Sequence, residues 1–264
     1  MITAGASRTI ALSVVLSATM LAVASAQTAA PSARKSGYDY MSHDLQVMQR
    51  EDVSNPGMLS VLEGEALWTT KTGAAGKSCA DCHQDASVSM RGVAPRYPAY
   101  DAKRKQPIDL QGRINACRET RQQATPFAWE DRQLLALTAY VGKQSRGLPI
   151  APPNDARLDP FRKRGEALYN QRQGQLNFSC ANCHDGNAGQ KLAGATIPQG
   201  HPTGYPIYRL EWQSIGSLQR RLRGCIVGVR AEPYPYGAQE YIELELFLMV
   251  RAKGMAMETP AVRP

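Results

Sequence analysis

Ser179-Cys180-Ala181-Asn182-Cys183-His184-Asp185-Gly186 is the stretch around which this 264-residue chain is organised. Its Cys180, Cys183 and His184 spell C-x-x-C-H, the pattern of covalent haem c attachment. Cysteines at this spacing form thioethers to the two vinyl groups of one haem, and the histidine that follows lies under the iron as proximal ligand. The same pattern occurs upstream as Cys79, Cys82 and His83. A redox C-x-x-C pair or half of a zinc site would account for the cysteines. Neither accounts for a histidine placed directly after both pairs. The motifs therefore imply two covalently attached haem c groups.

Outward from the motifs the chain repeats itself. Gly64-Glu65-Ala66-Leu67-Trp68 precedes Cys79 at the same spacing as Gly165-Glu166-Ala167-Leu168-Tyr169 precedes Cys180. Met58, Leu59, Val61, Leu62, Ala66 and Leu67 predict a helix with one apolar face from about Gly57 through Trp68, started by Asn55-Pro56. Leu134 to Tyr140 and Tyr241 to Val250 predict closing helices. Acids stand early in each (Glu130, Asp131; Glu240, Glu243) and bases late (Lys143, Arg146; Arg251, Lys253), as the helix dipole favours. Each half thus reads as helix, loop, C-x-x-C-H, a long irregular section and a closing helix. The fold class expected is mainly α, with two tandem cytochrome c-like domains and long haem-wrapping loops. Gly147 to Asp155, carrying Pro149, Pro152 and Pro153, is the expected linker between domains over 27–150 and 151–264. The Gly-, Pro- and Arg-rich segments after the motifs are expected to form ordered loops rather than a sheet.

Residues 1–26 read as a signal peptide. Arg8 supplies its positive start, Ile10 to Val23 its apolar stretch, and Ala24-Ser25-Ala26 a small-residue cleavage site, so the mature chain would begin at Gln27. No later stretch is long and apolar enough to span a bilayer. An exported, covalent-haem protein points to the periplasm. The formal charge is +8, of which the leader carries only Arg8. A basic exported chain with no nucleic-acid motif suits anionic substrates or acidic partners, although simple solubility explains the charge equally well.

Six cysteines in an exported protein would ordinarily suggest disulfides. Four are consumed by the haem motifs, leaving Cys117 and Cys225. A cytochrome c iron takes a second axial ligand, usually methionine. Met90 lies too close to His83, and Met249, Met255 and Met257 have no counterpart in the other repeat. His43 and His201 are likewise unmatched. Cys117 and Cys225 are matched: each stands between its motif and its closing helix, within Gly112-Arg113-Ile114-Asn115-Ala116-Cys117-Arg118 and Arg221-Leu222-Arg223-Gly224-Cys225. They stand either as one thiolate ligand per haem or as a disulfide, and the matched positions favour thiolates. A thiolate stabilises ferric iron and lowers its potential, which suits chemistry at sulfur better than electron shuttling. Arg220, Arg221, Arg223 and Arg230 surround Cys225 in sequence. They would hold a thiolate and attract anions, or else pair with haem propionates or water.

Arg221-Leu222-Arg223-Gly224-Cys225, followed by Arg230-Ala231-Glu232-Pro233-Tyr234, resembles the active-site segment of the SoxA family, and the resemblance extends over both haem halves. It implies a periplasmic L-cysteine S-thiosulfotransferase that joins thiosulfate oxidatively to a carrier cysteine of a SoxYZ-like protein and passes two electrons to a SoxX-like cytochrome subunit. It implies that Cys225 is the active-site cysteine, a ligand of the second haem found as a persulfide, and that Arg221 binds the sulfur anion. Having both motifs and Cys117, the chain is similar to the dihaem form. A plain dihaem electron carrier is the alternative reading, and a dihaem peroxidase a weaker one, since no acid and base groups are placed for it.

Overall fold

The computed structural model describes residues 1–2 and 34–264, and residues 34–264 form one compact unit. The leader and the expected start at Gln27 lie outside the described residues. After α1 (His43–Arg50), the first half runs α2 (Gly57–Thr69), α3 (Ala80–His83), α4 (Ala86–Ser89), a hairpin of β1 (Ala99–Asp101) and β2 (Gln106–Ile108), α5 (Leu110–Cys117) and α6 (Arg132–Lys143). The second half repeats this order as α7 (Asp159–Asn170), α8 (Cys180–His184), the short pair β3 (Lys191–Leu192) and β4 (Ala195–Thr196), a hairpin of β5 (Ile207–Arg209) and β6 (Ser214–Gly216), α9 (Leu218–Gly228) and α10 (Gln239–Arg251). The chain closes with β7 (Ala261–Arg263).

In each half the opening helix packs against the closing one, α2 on α6 and α7 on α10. The repeated glycines make this possible. A Cβ on Gly64 would collide with the Ala136 carbonyl and Tyr140, and one on Gly165 with the Glu243 carbonyl and Phe247. Only a residue without a side chain lets the backbones approach this closely. The helix forms as expected, but its buried side is not the predicted apolar face: Leu59, Leu62 and Ala66 are exposed, and Gly57, Val61, Gly64 and Trp68 are the buried residues. Val61 packs with Leu135 and Ala139, Trp68 with Val141, and Tyr169 with Leu244 and Leu248.

The segments after the motifs do not remain loops. β5 is the centre of a three-stranded sheet, antiparallel to β6 and parallel to β7, with Arg209 in register with Ser214 and Arg263. β1 and β2 form the matching two-stranded hairpin of the first half. The expectation of no sheet is corrected here. The strands are three residues long and carry no alternating pattern of their own, and β5 depends on a partner from the far end of the sequence.

The expected linker is not free of the fold. Gly147 N–H donates to the Met257 carbonyl and Ile150 N–H to the Met255 carbonyl, both at 2.8 Å, while Met257 N–H returns to the Leu148 carbonyl at 2.9 Å. Ile150, Met249, Ala252, Met257 and Ala94 form one buried cluster drawn from both halves. Asn55 and Gln49 fasten the N-terminal region to the tail, Asn55 through Nδ2 to the Pro260 carbonyl at 2.9 Å and Gln49 through Oε1, which accepts from Val262 N–H at 3.1 Å.

Candidate active site

Each C-x-x-C-H motif is a single capped turn. Ser179 Oγ accepts from Asn182 N–H while Asn182 Oδ1 accepts from Ser179 N–H, at 3.3 and 2.9 Å. Ser78 and Asp81 make the same reciprocal pair at 3.1 and 2.8 Å. This is a capping box, and it presents two cysteines and a histidine from one short helix. A repeat-matched aromatic steadies the residue after each histidine. Trp68 Nε1 donates to the Gln84 carbonyl at 2.9 Å, and Tyr169 hydroxyl meets Asp185 Oδ1 at 3.0 Å.

His184 has a fixed orientation. Its Nδ1 lies 2.7 Å from the Pro198 carbonyl oxygen, so Nδ1 is the protonated donor and Nε2 carries the free lone pair, as an iron ligand requires. Gly200, at φ 71°, lets the following loop lie on the imidazole, since a Cβ there would be 3.2 Å from the ring. In the first half, His83 packs against Trp68 with ring centroids 5.8 Å apart. A cleft beside Cys79 is lined by Leu67, Phe127, Leu137 and Arg118.

Cys225 lies on α9, capped by Ser217, whose Oγ accepts from Arg220 N–H at 3.1 Å. Burial pushes the Cys225 thiol up, but the influence of His184 and the guanidiniums of Arg221 and Arg209 outweighs it, and the thiol is held below its ordinary value. Cys180 behaves in the opposite way: burial first, and then the neighbouring Cys225, push it up to about 11. Cys79 is raised by burial and then by its neighbour Cys117, at the end of α5. All six cysteines are free. Cys117 thus lies near Cys79 and Cys225 near Cys180, and no disulfide joins the two among the described residues.

The four sequence-adjacent arginines separate into different roles. Arg220 stacks on Trp212 at 4.4 Å and donates to Ser214 Oγ at 3.2 Å. Arg223 stacks on Tyr236 at 4.5 Å and donates to the Tyr234 carbonyl. Arg230 is an exposed residue in the left-handed region, φ 60°. Arg221, one helical turn before Cys225, is the one whose charge acts on the cysteine. Its guanidinium makes no hydrogen bond or ion pair among the described residues. Arg209, from β5, joins it and has no signal in the sequence, because the sheet alone brings it near.

The other candidate axial ligands lie elsewhere. Met90 is buried against Trp68, and Met249 and Met257 fill the cluster between the halves. His43 is an exposed residue at the start of α1, and His201 Nδ1 is engaged with the Lys35 carbonyl at 2.7 Å.

This arrangement matches known proteins. The SoxA/TsdA cytochrome c domain family matches residues 63–150 and 164–257. The L-cysteine S-thiosulfotransferase subunit SoxA of Pseudaminobacter salicylatoxidans is 38% identical over 86% of this chain and 80% of its own length. The subunit of the same name from Rhodovulum sulfidophilum is 33% identical over 87% and 80%. The chain belongs to the SoxA family. A SoxXA crystal structure from P. pantotrophus superposes on this SoxA-family chain with a TM-score of 0.84 at 31% identity, covering 88% of this chain and 87% of that one. Family membership makes haem c the cofactor class of this chain. Among the described residues, no helix of this SoxA-family chain is long and apolar enough to cross a membrane.

Proposed function

We propose that this chain is the catalytic cytochrome subunit of an L-cysteine S-thiosulfotransferase, which joins thiosulfate to a cysteine of a SoxYZ-like carrier. The carrier thiolate and the outer sulfur of thiosulfate form an S–S bond, giving a cysteine S-thiosulfonate, and two electrons leave toward a SoxX-like partner. The observation that carries this reading is Cys225 itself: a free cysteine on α9, one helical turn after Arg221, whose guanidinium has no partner among the described residues. A plain electron carrier has no use for such a cysteine.

Two haem c groups fit the chain. Cys79 and Cys82 would hold one and Cys180 and Cys183 the other through thioethers, with His83 and Cys117 as iron ligands in the first half and His184 and Cys225 in the second. When bound, the haems supply the acceptor for the two electrons. The fixed His184 tautomer and the free cysteine next to each motif are the features that suit this donor set.

The chain's own residues do the rest. Arg221 offers a planar donor fork to the oxyanion end of thiosulfate, one helical turn from Cys225. Cys225 is the group of this chain that meets the sulfur end of thiosulfate where the carrier thiolate attacks it. The exported location follows from the leader reading and places the reaction in the periplasm.

The test is the holo complex with Cys225→Ala and Cys225→Ser. Both variants should retain both haems, because the thioether cysteines are untouched. The second haem's spectrum should change, and thiosulfate-dependent labelling of the carrier should vanish. A fully active, spectrally unchanged Cys225→Ala protein would remove both the ligand and the catalytic roles.

A further inference from the structure

We propose that Arg209 is the second guanidinium of the anion site at Cys225, so that a small sulfur oxyanion dianion is gripped between Arg209 and Arg221. The inference deepens the reading of Cys225 as the thiosulfate-handling cysteine and rests on it.

Arg209 is placed by the sheet rather than by the cysteine helix. It ends the central strand β5, with Ser214 on one side and Arg263 on the other. Its side chain is only 13% exposed. Nε donates to the Pro264 carbonyl at 2.9 Å, and Nη2 pairs with Glu211 at 2.8 Å. The guanidinium lies over Trp212 at 5.1 Å, and Arg220 lies over the same ring at 4.4 Å. The fork is thus fixed from three directions before any ligand arrives.

The charge around it does not balance. Arg209 is made less basic by burial and then by repulsion from Arg221. Arg221 is partly buried and has neither an ion pair nor a hydrogen bond to its guanidinium among the described residues. Among the described residues, Glu211 is the one carboxylate whose charge acts on both arginines, and its side chain is 64% exposed and already engaged. Tyr205, between these groups, is held neutral by burial first and cannot compensate. Glu211 is screened by solvent, and the Cys225 thiolate is the expected ligand of the second iron, so neither buried guanidinium is fully neutralised and the pair can take up a further anion. A planar fork on each side suits the tetrahedral oxygens of a sulfur oxyanion. Bringing Arg209 from a strand and Arg221 from a helix lets the two forks approach from different directions, which a single helix face cannot do.

The experiment uses the holo complex with its partner subunit and sulfate as an unreactive dianion probe, alongside thiosulfate turnover. Arg209→Gln should weaken calorimetric sulfate binding and raise the KM for thiosulfate, each by about tenfold. The kcat and the haem spectra should stay close to wild type. Glu211→Gln, at an exposed site, should tighten sulfate binding by releasing Arg209 from its carboxylate. Unchanged sulfate affinity in both variants would overturn the proposal, as would a loss of kcat in Arg209→Gln at unchanged KM, which belongs to a merely structural arginine. Should the wild-type complex transfer no thiosulfate yet bind sulfate in a manner dependent on Arg209, the anion site stands and the assigned reaction falls.

Discussion

Gln219 Nε2 donates to the carboxylate of Asp109 at 3.2 Å, joining the N-terminal ends of the two cysteine-bearing helices. Asp109 caps α5, accepting from Gly112 N–H at 2.7 Å, and Gln219 lies in the first turn of α9. Around this bond is a cavity between the halves, lined by repeat-matched residues: Tyr97 and Tyr205, Gln111 and Gln219, Thr138 and Glu245. No basic side chain lines it. Gln111 is buried, and its Oε1 has no donor among the described residues.

Stability should therefore fall as pH rises from about 4 to above 6. Burial pushes Asp109 up to about 6, and burial together with the Asp109 charge pushes Glu245 well above the ordinary carboxyl range. The folded state holds these protons where the unfolded chain has released them. Their contribution is complete below the unfolded values and is lost as pH climbs through the folded ones. The other titratable groups on the cavity wall, Tyr97 and Tyr205, are kept neutral mainly by burial. Glu245→Gln removes one of the two acids and supplies an amide donor for Gln111. It should raise stability at pH 7 by about 1–3 kcal/mol and flatten the profile. Denaturant melts of the holoprotein from pH 4 to 7 decide this, and parallel profiles for variant and wild type would contradict it.

Gly64→Ala and Gly165→Ala should each cost about 1–3 kcal/mol by forcing apart a packed helix pair. The two losses should be similar, since the Ala136 and Glu243 carbonyls stand in equivalent places. Thermal melts of both variants, with haem content measured, provide the check. Melting temperatures at the wild-type value would show that the helices slide apart without penalty.

Cys117→Met should alter the low-spin ferric spectrum and raise one potential, because methionine favours ferrous iron more than a thiolate does. Turnover should largely survive, because the first half has no equivalent of the arginine pair beside Cys225. Redox titration and the carrier-labelling assay together read the outcome. A well-folded, dihaem variant without activity would place the first haem on the working path.

Arg221→Ala and Arg221→Lys should both weaken thiosulfate use, the first more. Lysine keeps the charge but not the planar fork. An increase in KM of about tenfold or more is expected for alanine. Kinetics identical to wild type would assign Arg221 to propionate pairing.

The sequence made the motifs, the paired halves and the matched cysteines legible, because each depends on spacing along the chain. The pairing of Gly64 with Gly165 was visible as a repeat, while its cause, a carbonyl pressed against the α-carbon, needed the packed helices. The sheet was not legible. Ile207–Arg209 shows no alternation, and its parallel partner Ala261–Arg263 lies at the other end of the half. Arg209 was missed for that reason. Arg220 and Arg223, prominent beside Cys225 in the sequence, turn instead to Trp212 and Tyr236.

The tail's pairing with the linker and with β5 sets an order on how the protein can be made. Residues 255–263 complete both the Gly147–Ile150 pairing and the sheet that holds Arg209. Contacts of such long sequence separation form late, after the loop-closure entropy has been met. Until then both cysteine pairs remain on short, locally capped turns, open to the machinery that attaches haem. Closure therefore comes last: Arg209 takes its place beside β7 only once the end of the chain has arrived.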